Sequence, residues 1–349
     1  NNDADGGNQA ALTLSGNQIQ GSDVHINVTD SDFDSDDILS LISPNTVTPD
    51  VRILDNSEDV VDISRTDEND IAQAAAFGTI TAGVIAADSA DEAVSAGPAT
   101  YQETQIKVDK DIFVESAEGP DATTFTTDTD EFFFNVSSNA EISGFTFSPT
   151  ADDDQADVRL TSGASNIVDN VFTGPNGENR RAIAVSSDAS IEIIDNTVSG
   201  YAEGIDVNDA DGNLKVVRNT ISNNEVGVSL GSNAGSSGSD AEINFNTIAG
   251  NTVGLNADDP DFDNVNATAV WWGDQSGPSG DDAPVANPGV GDEVIDDFSD
   301  QVNVTPFLGS PLDTLPESGY VIVTDQRDRI ASQDSDEQET AEILVATLN

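Results

Sequence analysis

A chain of 349 residues with 66 Asp and Glu against 11 Lys and Arg has a formal net charge of -55. Self-repulsion at this charge opposes a compact fold in dilute buffer, whereas salt at about 1 M shortens the screening length to about 3 Å. The composition therefore predicts a halophilic, haloarchaeal protein, and it argues against nucleic acid as a partner. Apolar residues make up 36% of the chain, which is enough for a folded core.

Several features bear on the compartment in which the protein works. The chain has no cysteine, so it forms no disulfide and no thiolate metal site. It begins with Asn1 and has no apolar stretch of about 18 residues, which predicts an extracellular, cell-surface protein with a removed signal peptide and no membrane span. A chain cut from a longer protein would give the same pattern. The candidate glycosylation sites are the four Asn-x-Ser/Thr sequons at Asn27, Asn135, Asn266 and Asn303.

Residues 1–83 predict an N-terminal β-sandwich-like region. Alternating strands and Asp-rich turns occur in DVHINVTDSDFDSDD (23–37) and TPDVRILDNSEDVVDISR (48–65), and FGTITAG (77–83) indicates a closing strand. The preceding IAQAAAFG (71–78) leaves the start of a helix as an alternative. The pattern favours an Ig-like sandwich and resembles the β-sandwich domains of archaeal S-layer-like surface proteins.

Alternate aspartates make calcium the credible metal, because hard cations prefer oxygen ligands. The first candidate site comprises Asp30, Asp32, Asp34 and Asp36, and a shorter one comprises Asp209 and Asp211. The first loop departs from an EF-hand, since Ser35 stands at the glycine position and Leu41 at the position of the bidentate Glu. A hydrated acidic turn is the simpler explanation of both.

Residues 84–315 contain a repeat of about 25 residues, a period that indicates stacked units. Four stretches align: SNIVDNVFTG (165–174), SIEIIDNTVSG (190–200), LKVVRNTISN (214–223) and AEINFNTIAG (241–250). A second short strand follows each stretch, with variable Asp/Gly/Ser/Asn loops between them. Short β-branched strands without a helical period favour a parallel β-solenoid over leucine-rich repeats.

One asparagine recurs at the same point of every repeat. These are Asn170, Asn196, Asn219 and Asn246, which are 26, 23 and 27 residues apart. At one corner of each turn, such residues are expected to adopt the left-handed conformation and to form a ladder of side-chain amides. We therefore predict a structural role for them and not a catalytic one.

The repeats resemble the right-handed parallel β-helix, or pectin-lyase-like, superfamily, and especially the NosD-type repeats of surface proteins. The segment GPATYQETQIKVDKDIFVESAEGPDATTF (97–125) is similar to the family's entry turn. Its strands would direct four apolar side chains inward, namely Ile106, Val108, Ile112 and Val114. The resemblance covers about residues 97–315 and implies the fold, while it says little about activity.

The two tryptophans of the chain, Trp271 and Trp272, lie in NATAVWWGDQSGPSG (266–280). This stretch resembles the Asn-Trp-Trp-Gly end of the family's last coil, although Val270 stands where the asparagine is usual. The resemblance implies that the indoles cover the end of the solenoid, with VNVTPFLGSP (302–311) as a terminal strap. A platform for stacking carbohydrate is the alternative.

Residues 316–349 predict a C-terminal strand segment. SGYVIVTDQRDRIASQ (318–333) contains one strand and EILVATLN (342–349) another. The apolar residues of the second strand need a surface to cover them, which favours assembly between copies by strand addition. The predicted assembly residues are Ile343, Leu344, Val345 and Leu348.

The residue types do not favour catalysis. Pectin-lyase-like enzymes use an Arg or Lys base beside calcium-binding carboxylates, and the related hydrolases use clustered Asp with Gly-His-Gly. Here the only histidine is His25, outside the repeats, and paired carboxylates such as Asp258-Asp259 or Asp281-Asp282 are expected by chance in so acidic a chain. The same scarcity of imidazole and sulfur ligands argues against copper. Arg218 occupies a repeat position held by Asp169 and Asp195, which predicts an ion pair between turns.

These observations predict an all-β protein: a right-handed parallel β-helix with an N-terminal Ig-like β-sandwich and a C-terminal strand. The predicted function is that of a secreted structural subunit of a haloarchaeal surface filament or layer. It would polymerise with copies of itself through its terminal strands and have no enzymatic activity. One alternative is a carbohydrate-binding or polysaccharide-lyase-type β-helix protein acting on extracellular glycans. Another is a monomeric, glycosylated adhesin.

Overall fold

The computed structural model describes the central part of the chain and short strands on either side of it. The described ranges are 79–87, 92–177, 179–210, 212–235, 239–257, 262–280, 289–296 and 302–311, with the strands 18–19, 26–28, 46–47, 53–55, 76–77, 320–324 and 342–347. The chain divides into two compact units, residues 1–96 with 110–114, and residues 97–109 with 115–349.

The described elements of the first unit are five short strands, one helix and a longer strand. In chain order they are β1 (Gln18–Ile19), β2 (Ile26–Val28), β3 (Thr46–Val47), β4 (Ile53–Asp55), β5 (Ala76–Phe77), α1 (Ile80–Ala86) and β6 (Glu92–Ala96). β1 pairs with β3, β2 with β4 and β4 with β5, each in parallel with partners 22 to 28 residues apart. Most residues of the predicted Ig-like sandwich lie outside the described ranges.

The closing strand expected over residues 77–83 is wrong beyond Phe77, because a helix begins at Ile80. Ile80, Val84 and Ala87 are buried at the spacing of one helical face. Among the described residues, α1 is the only α-helix. No described helix has both the length and the apolar character needed to cross a membrane.

The second unit is a parallel β-solenoid of about six turns. In chain order the following strands are β7 (Ala99–Tyr101), β8 (Ile106–Val108), β9 (Ile112–Ser116), β10 (Thr123–Phe125), β11 (Phe134–Val136), β12 (Glu141–Ser143), β13 (Thr146–Phe147), β14 (Ala156–Leu160), β15 (Asn166–Val168), β16 (Val171–Thr173), β17 (Arg181–Val185), β18 (Ile191–Ile194), β19 (Thr197–Ser199), β20 (Glu203–Ala210), β21 (Leu214–Val217), β22 (Thr220–Ser222), β23 (Val226–Ala234), β24 (Asp240–Glu242), β25 (Thr247–Ala249), β26 (Val253–Ala257), β27 (Asn264–Asn266), β28 (Glu293–Ile295), β29 (Val302–Asn303), β30 (Phe307–Leu308), β31 (Tyr320–Thr324) and β32 (Glu342–Thr347).

Each turn contributes one strand to each of three parallel sheets. The first sheet contains β7, β10, β13, β16, β19, β22 and β25, and the second contains β8, β11, β14, β17, β20, β23, β26 and β28. The third sheet includes β12, β15, β18, β21, β24, β27 and β29. Register partners in the first sheet are 22 to 27 residues apart. The β-helix repeat predicted from the sequence is therefore confirmed.

Alternation along the short strands directs apolar side chains into the solenoid. The four residues predicted to face inward, Ile106, Val108, Ile112 and Val114, are all buried. Along the first sheet, the rings of Phe125, Phe147 and Phe172 stack with centroids 5.5 and 4.7 Å apart. The early turns are thus filled with aromatic rings, which give way to aliphatic side chains in the later ones.

Each turn passes from the third sheet to the next first-sheet strand through a residue with a left-handed backbone conformation. In four turns this residue directly precedes the recurrent asparagine, and in an earlier turn it precedes Phe145. The positive φ angles belong to Gly144, Asp169, Asp195, Arg218 and Phe245. The expectation that the asparagines themselves adopt the left-handed backbone conformation is wrong. Their side chains point inward, and the residue before each of them has the positive φ angle that turns the chain. The left-handed residues other than Gly144 point to solvent and vary freely in type.

The region that follows the last full turn packs on the end of the solenoid. Trp272 is fully buried, Asp292 N donates to Trp272 O, and Leu308 N donates to Val270 O at 2.9 Å. A Cβ at Gly277 would collide with the Phe307 ring, so the glycine permits a close approach. A separate sheet follows, in which β32 lies between β30 and β31.

Candidate functional site

Arginines meet several carboxylates at the start of three successive second-sheet strands, β14, β17 and β20. Stacking of the turns brings Arg180 and Arg181 beside Asp residues of the turns before and after them. A β-helix that acts on glycans would need an Arg or Lys side chain close to several carboxylates. The contacts of each arginine show what the cluster can do.

Arg180 forms the centre of a buried network that joins four turns. Its side chain is 0% exposed, and Nε donates to Asp157 Oδ1 at 2.7 Å while Nη1 donates to Asp153 Oδ2 at 2.7 Å. Nη2 donates to Glu131 O at 2.9 Å, and Tyr201 Oη donates to Asp157 Oδ2 at 2.5 Å. The cation is fully committed to these partners, so it holds turns together and is not available to a ligand.

Burial sets the acid–base properties of this network. Removal from water raises the pKa of Asp157 to about 6, although the neighbouring Arg180 cation and the Tyr201 hydroxyl favour the carboxylate. Burial also raises the pKa of Tyr201 well above its usual value, and the negative charge of Asp157 adds to the rise. Tyr201 therefore remains a neutral donor.

We expect D157N to remove a pH-dependent part of the stability. The folded-state pKa of about 6 exceeds the value of about 3.9 for a carboxyl in an unfolded chain. The contribution of Asp157 is therefore fully present below about pH 4 and is lost as the pH rises through about 6. Relative to D157N, the wild type should lose about 2 to 3 kcal/mol of unfolding free energy between about pH 4 and pH 8.

Denaturant unfolding followed by circular dichroism in multimolar KCl measures this difference. D188N is the matched control, because it removes one carboxylate from an exposed position of the next turn. If the unfolding free energies of the wild type and of D157N change in parallel between about pH 4 and pH 8, the raised pKa of Asp157 is contradicted.

Arg181 lies closer to solvent and joins the turns on either side. Nη2 donates to Asp154 Oδ1 at 2.8 Å and Nη1 donates to Asp206 Oδ2 at 2.9 Å. Burial lowers the pKa of Arg181, but the hydrogen bond and charge of Asp206 outweigh it and the net shift is upward. Burial raises the pKa of Asp206, and that of Glu203 beside it. Arg181 is therefore a poor general base.

Arg159 is the third arginine of the cluster and differs from the other two. Its guanidinium carbon lies 4.7 Å from the centroid of the Phe132 ring. Burial lowers the pKa of Arg159, and the neighbouring Arg181 cation lowers it further. Its main described contact is thus a cation–π contact, and a lowered pKa is the direction that proton abstraction requires.

Two further ion pairs join turns on the outside of the third sheet. Arg218 binds Asp195 through two bonds of 2.7 and 2.6 Å, as the repeat alignment predicted. Lys215 Nζ lies 3.2 Å from Glu192 Oε1. Both pairs are about half exposed, so each adds little stability by itself.

The recurrent asparagines form a continuous buried ladder. Asn196 N donates to Asn219 Oδ1 at 2.8 Å, and equivalent bonds join Asn170 to Asn196 and Asn219 to Asn246. Each Nδ2 donates in turn to a backbone carbonyl of the preceding turn, for example Asn219 Nδ2 to Ile193 O at 2.8 Å. The side chains thus pair backbone groups that the corner would otherwise leave buried and unbonded.

A second ladder, which the sequence analysis missed, lies between the first and second sheets. Asn224 N donates to Asn251 Oδ1 at 3.0 Å, and Tyr201 N donates to Asn224 Oδ1 at 3.0 Å. Asp292 completes the ladder by accepting from Asn251 N and from Gly250 N, each at 2.8 Å. The signal was present in the aligned YAEG, NEVG and NTVG, at 201–204, 224–227 and 251–254.

The two tryptophans occupy different environments. Trp272 is 0% exposed, and its Nε1 has no hydrogen-bond partner within the described structure. Trp271 is only partly buried and is the register partner of Thr247 in the first sheet. The position of Trp272 fits a lid, while Trp271 presents part of its ring to solvent.

The other predicted site residues are not brought together with this cluster. Asp30, Asp32, Asp34, Asp36, Asp211 and Leu348 lie outside the described residues, as do the side chains of Asn27, Asp209, Ile343, Leu344 and Val345. The remaining sequons lie on the outer face of strands, where the amide oxygens of Asn135, Asn266 and Asn303 accept from Thr161 Oγ1, Thr268 N and Thr305 N. Asn303 is exposed, and Asn135 and Asn266 are partly exposed. Calcium and glycosylation remain predictions.

The fold and its ladders define the chain as a parallel β-helix repeat protein. A protein-family model described as periplasmic copper-binding protein (NosD) matches residues 99–264, which is just under half of the chain. No curated protein and no solved structure matches it. The family description places its members outside the cytoplasmic membrane.

The residues of this chain do not fit the copper in that family name. The sequence has no cysteine and no methionine, and its single histidine, His25, lies outside the described residues. Copper prefers sulfur and imidazole ligands. No three His, Cys, Asp or Glu side chains in the described ranges are arranged to hold a metal ion.

Proposed function

We propose that this protein is a non-catalytic structural component of the outside of a halophilic cell. In this role the β-helix is a rigid shaft, and copies join into a filament or layer through the strand β32. Support for a structural role comes from the arginines, since Arg180, Arg181 and Arg218 are all used to bridge turns of the solenoid.

The position of β32 is the observation that carries the assembly proposal. β32 pairs with β31 over five residue pairs, from Thr324↔Ile343 to Tyr320↔Thr347, and the pairing is antiparallel. Only two pairs, Phe307↔Glu342 and Leu308↔Ile343, connect β32 to β30 at the end of the solenoid. The β31–β32 hairpin is therefore attached to its own solenoid by a very short ladder.

Exchange of this hairpin between copies would use the contacts already present within one copy. The hairpin of one subunit would pair with β30 of the next, which is strand addition in a domain-swapped form. A heterologous contact of this kind extends into a filament if it does not close into a ring. High salt is necessary, because a net charge of -55 on each copy opposes association in dilute buffer.

A reversible crosslink tests the proposal in the full-length chain. The native chain has no cysteine, so L308C/I343C places the only two cysteines at two register partners, where they can form a disulfide within one chain or between exchanged chains. Oxidation of dilute monomer should fix the hairpin on its own solenoid and abolish assembly in multimolar salt, and reduction should restore it. Negative-stain microscopy and light scattering measure the result, with L308C as the control and a chain lacking 342–349 as the second variant.

Crosslinking of preassembled protein provides the complementary result. Swapped hairpins should give covalent oligomers on a non-reducing gel, whereas unswapped hairpins give crosslinked monomers. Wild type that stays monodisperse in multimolar salt, or oxidised monomers that assemble as well as reduced ones, would refute assembly through β32.

A polysaccharide lyase is the second candidate function, and Arg159 is the observation that favours it. Its lowered pKa and its position beside the carboxylates of the cluster resemble what proton abstraction from an acidic sugar requires. Unsaturated products formed from polygalacturonate with added Ca²⁺, and lost in R159A, would support this function over the structural one.

A further inference from the structure

The outer face of the first sheet carries a row of threonines that runs through almost every turn. Its members are Thr100, Thr124, Thr146, Thr197, Thr220 and Thr247. Val171, another β-branched residue, takes the one intervening position between Thr146 and Thr197. The row is straight because each member is the register partner of the next.

A second row of hydroxyl side chains lies two residues further along the chain, within the same strands or directly after them. It contains Thr126, Ser148, Thr173, Ser199 and Ser222. We call the two rows together the hydroxyl face. None of its residues is charged, although the chain carries 66 acidic side chains. Aspartates begin at its margin, where Asp169 and Asp195 occupy the left-handed corner.

Most of these hydroxyls are available to a ligand. Thr197 and Thr173 are exposed, and Thr124 and Thr220 are partly exposed. Within the described residues, the hydroxyls of Thr124, Thr197 and Thr220 make no hydrogen bond. By contrast, Thr146 Oγ1 donates to Pro120 O, Thr126 Oγ1 donates to Ser148 O, Ser222 Oγ accepts from Asn223 Nδ2, and Thr247 is buried. The face therefore offers unused donors and acceptors on several of its turns.

Aromatic rings lie at one end of the hydroxyl face. The partly exposed Trp271 continues the threonine row as the partner of Thr247. Phe245, at the corner before Thr247, is 37% exposed. An accessible ring beside a line of hydroxyls presents an apolar surface and hydrogen-bonding groups to the same ligand.

The dimensions of the hydroxyl face select a narrow, extended partner. The seven strands of the first sheet, spaced by about 4.8 Å, make it about 30 Å long, and two rows on each strand make it about 7 Å wide. The resulting area of about 200 Å² is far below the roughly 800 Å² per partner of a stable protein interface. A second copy would have to bring its own acidic margins against Asp169 and Asp195, which the net charge opposes.

We propose that the hydroxyl face binds a linear, uncharged polysaccharide that lies along the axis of the solenoid. A pyranose in an extended chain is about as long as one turn, so successive sugars meet successive Thr and Ser hydroxyls, and Trp271 stacks against a sugar ring at the end. The charge of the chain excludes nucleic acid and acidic polysaccharides from the face. This site is separate from the arginine cluster and from β32.

Binding to named polysaccharides tests the proposal with the full-length protein in multimolar KCl. Depletion onto insoluble cellulose, chitin and mannan measures binding to neutral chains, and polygalacturonate gels measure binding to an acidic one. The wild type should bind at least one neutral polymer and not polygalacturonate. For that polymer, a soluble hexasaccharide should bind at least tenfold more tightly than the disaccharide, because it covers more turns.

Substitutions that keep the β-branched shape separate binding from folding. T124V/T197V/T220V removes three unused hydroxyls, and we expect it to weaken binding at least tenfold with little change in thermal stability. T104V/T252V/T268V makes the same change at three threonines outside the hydroxyl face and should bind as the wild type does. W271A should also weaken binding.

Three outcomes would overturn the proposal. The first is equal binding by the two triple variants, and the second is retention on polygalacturonate alone or on no neutral polymer. The third is a dimer that the first variant abolishes, which would assign the face to a second copy. Failure of hairpin exchange would leave this inference intact, because the two tests use different residues.

Discussion

Substitution N219A should lower the free energy of unfolding by about 4 kcal/mol, which would make Asn219 one of the most sensitive positions of the chain. Its Oδ1 accepts from Asn196 N at 2.8 Å, and its Nδ2 donates to Ile193 O at 2.8 Å. Alanine leaves both backbone groups buried without a partner, and each orphan costs about 1 to 3 kcal/mol. The loss of a tightly packed amide adds to this cost.

Chemical denaturation in multimolar KCl measures the effect of N219A. N166A is the matched control, because Asn166 lies on the outer face of the third sheet and should change stability by about 0.5 kcal/mol or less. A loss below about 1 kcal/mol for N219A would show that water replaces the ladder at little cost.

Substitution R180M should destabilise the protein by about 3 to 5 kcal/mol near neutral pH. Methionine fills much of the same volume but leaves the carboxylate of Asp157 buried without its cation and Glu131 O without its donor. The expected result follows from the asymmetry of buried ion pairs: breaking one is costly, whereas replacing all of it with apolar groups can be neutral.

A triple variant distinguishes this reason from a simple packing defect. R180M/D157L/Y201F removes the cation, the carboxylate and the hydroxyl together, and it should recover at least half of the stability lost in R180M. The same denaturation experiment measures both variants. A triple variant less stable than R180M would show that the network stabilises the fold through side-chain packing and not through its charges.

The repeat pattern of the sequence is sufficient to predict the architecture of the solenoid. Strand positions and the turn length follow from β-branched residues and Asn at regular spacing, because short parallel strands can bury their side chains only by stacking. The positions of Asn170, Asn196, Asn219 and Asn246 specify one corner of the solenoid, because the residue that follows each of them is the register partner of the residue that follows the next.

The sequence was less informative about the burial of individual side chains, because burial depends on which side chains of neighbouring turns cover them. Arg180 and Arg181 look alike as neighbours, yet one is fully buried and the other reaches solvent. Asp157 and Val158 are both buried although they are adjacent, because the Arg180 and Tyr201 side chains cover the Asp157 carboxylate, and this breaks the simple alternation. The second ladder was missed because Tyr201 and Asp292 replace asparagine at its two ends.

Register along the solenoid also decides how the protein responds to force. The ladders that join one turn to the next run along the axis, so tension applied at the two ends of the solenoid pulls directly on them. A turn of 22 to 27 residues that comes loose releases roughly 80 Å of extended chain while its neighbours remain paired. We expect a solenoid built in this way to lengthen in steps under load and to dissipate energy turn by turn.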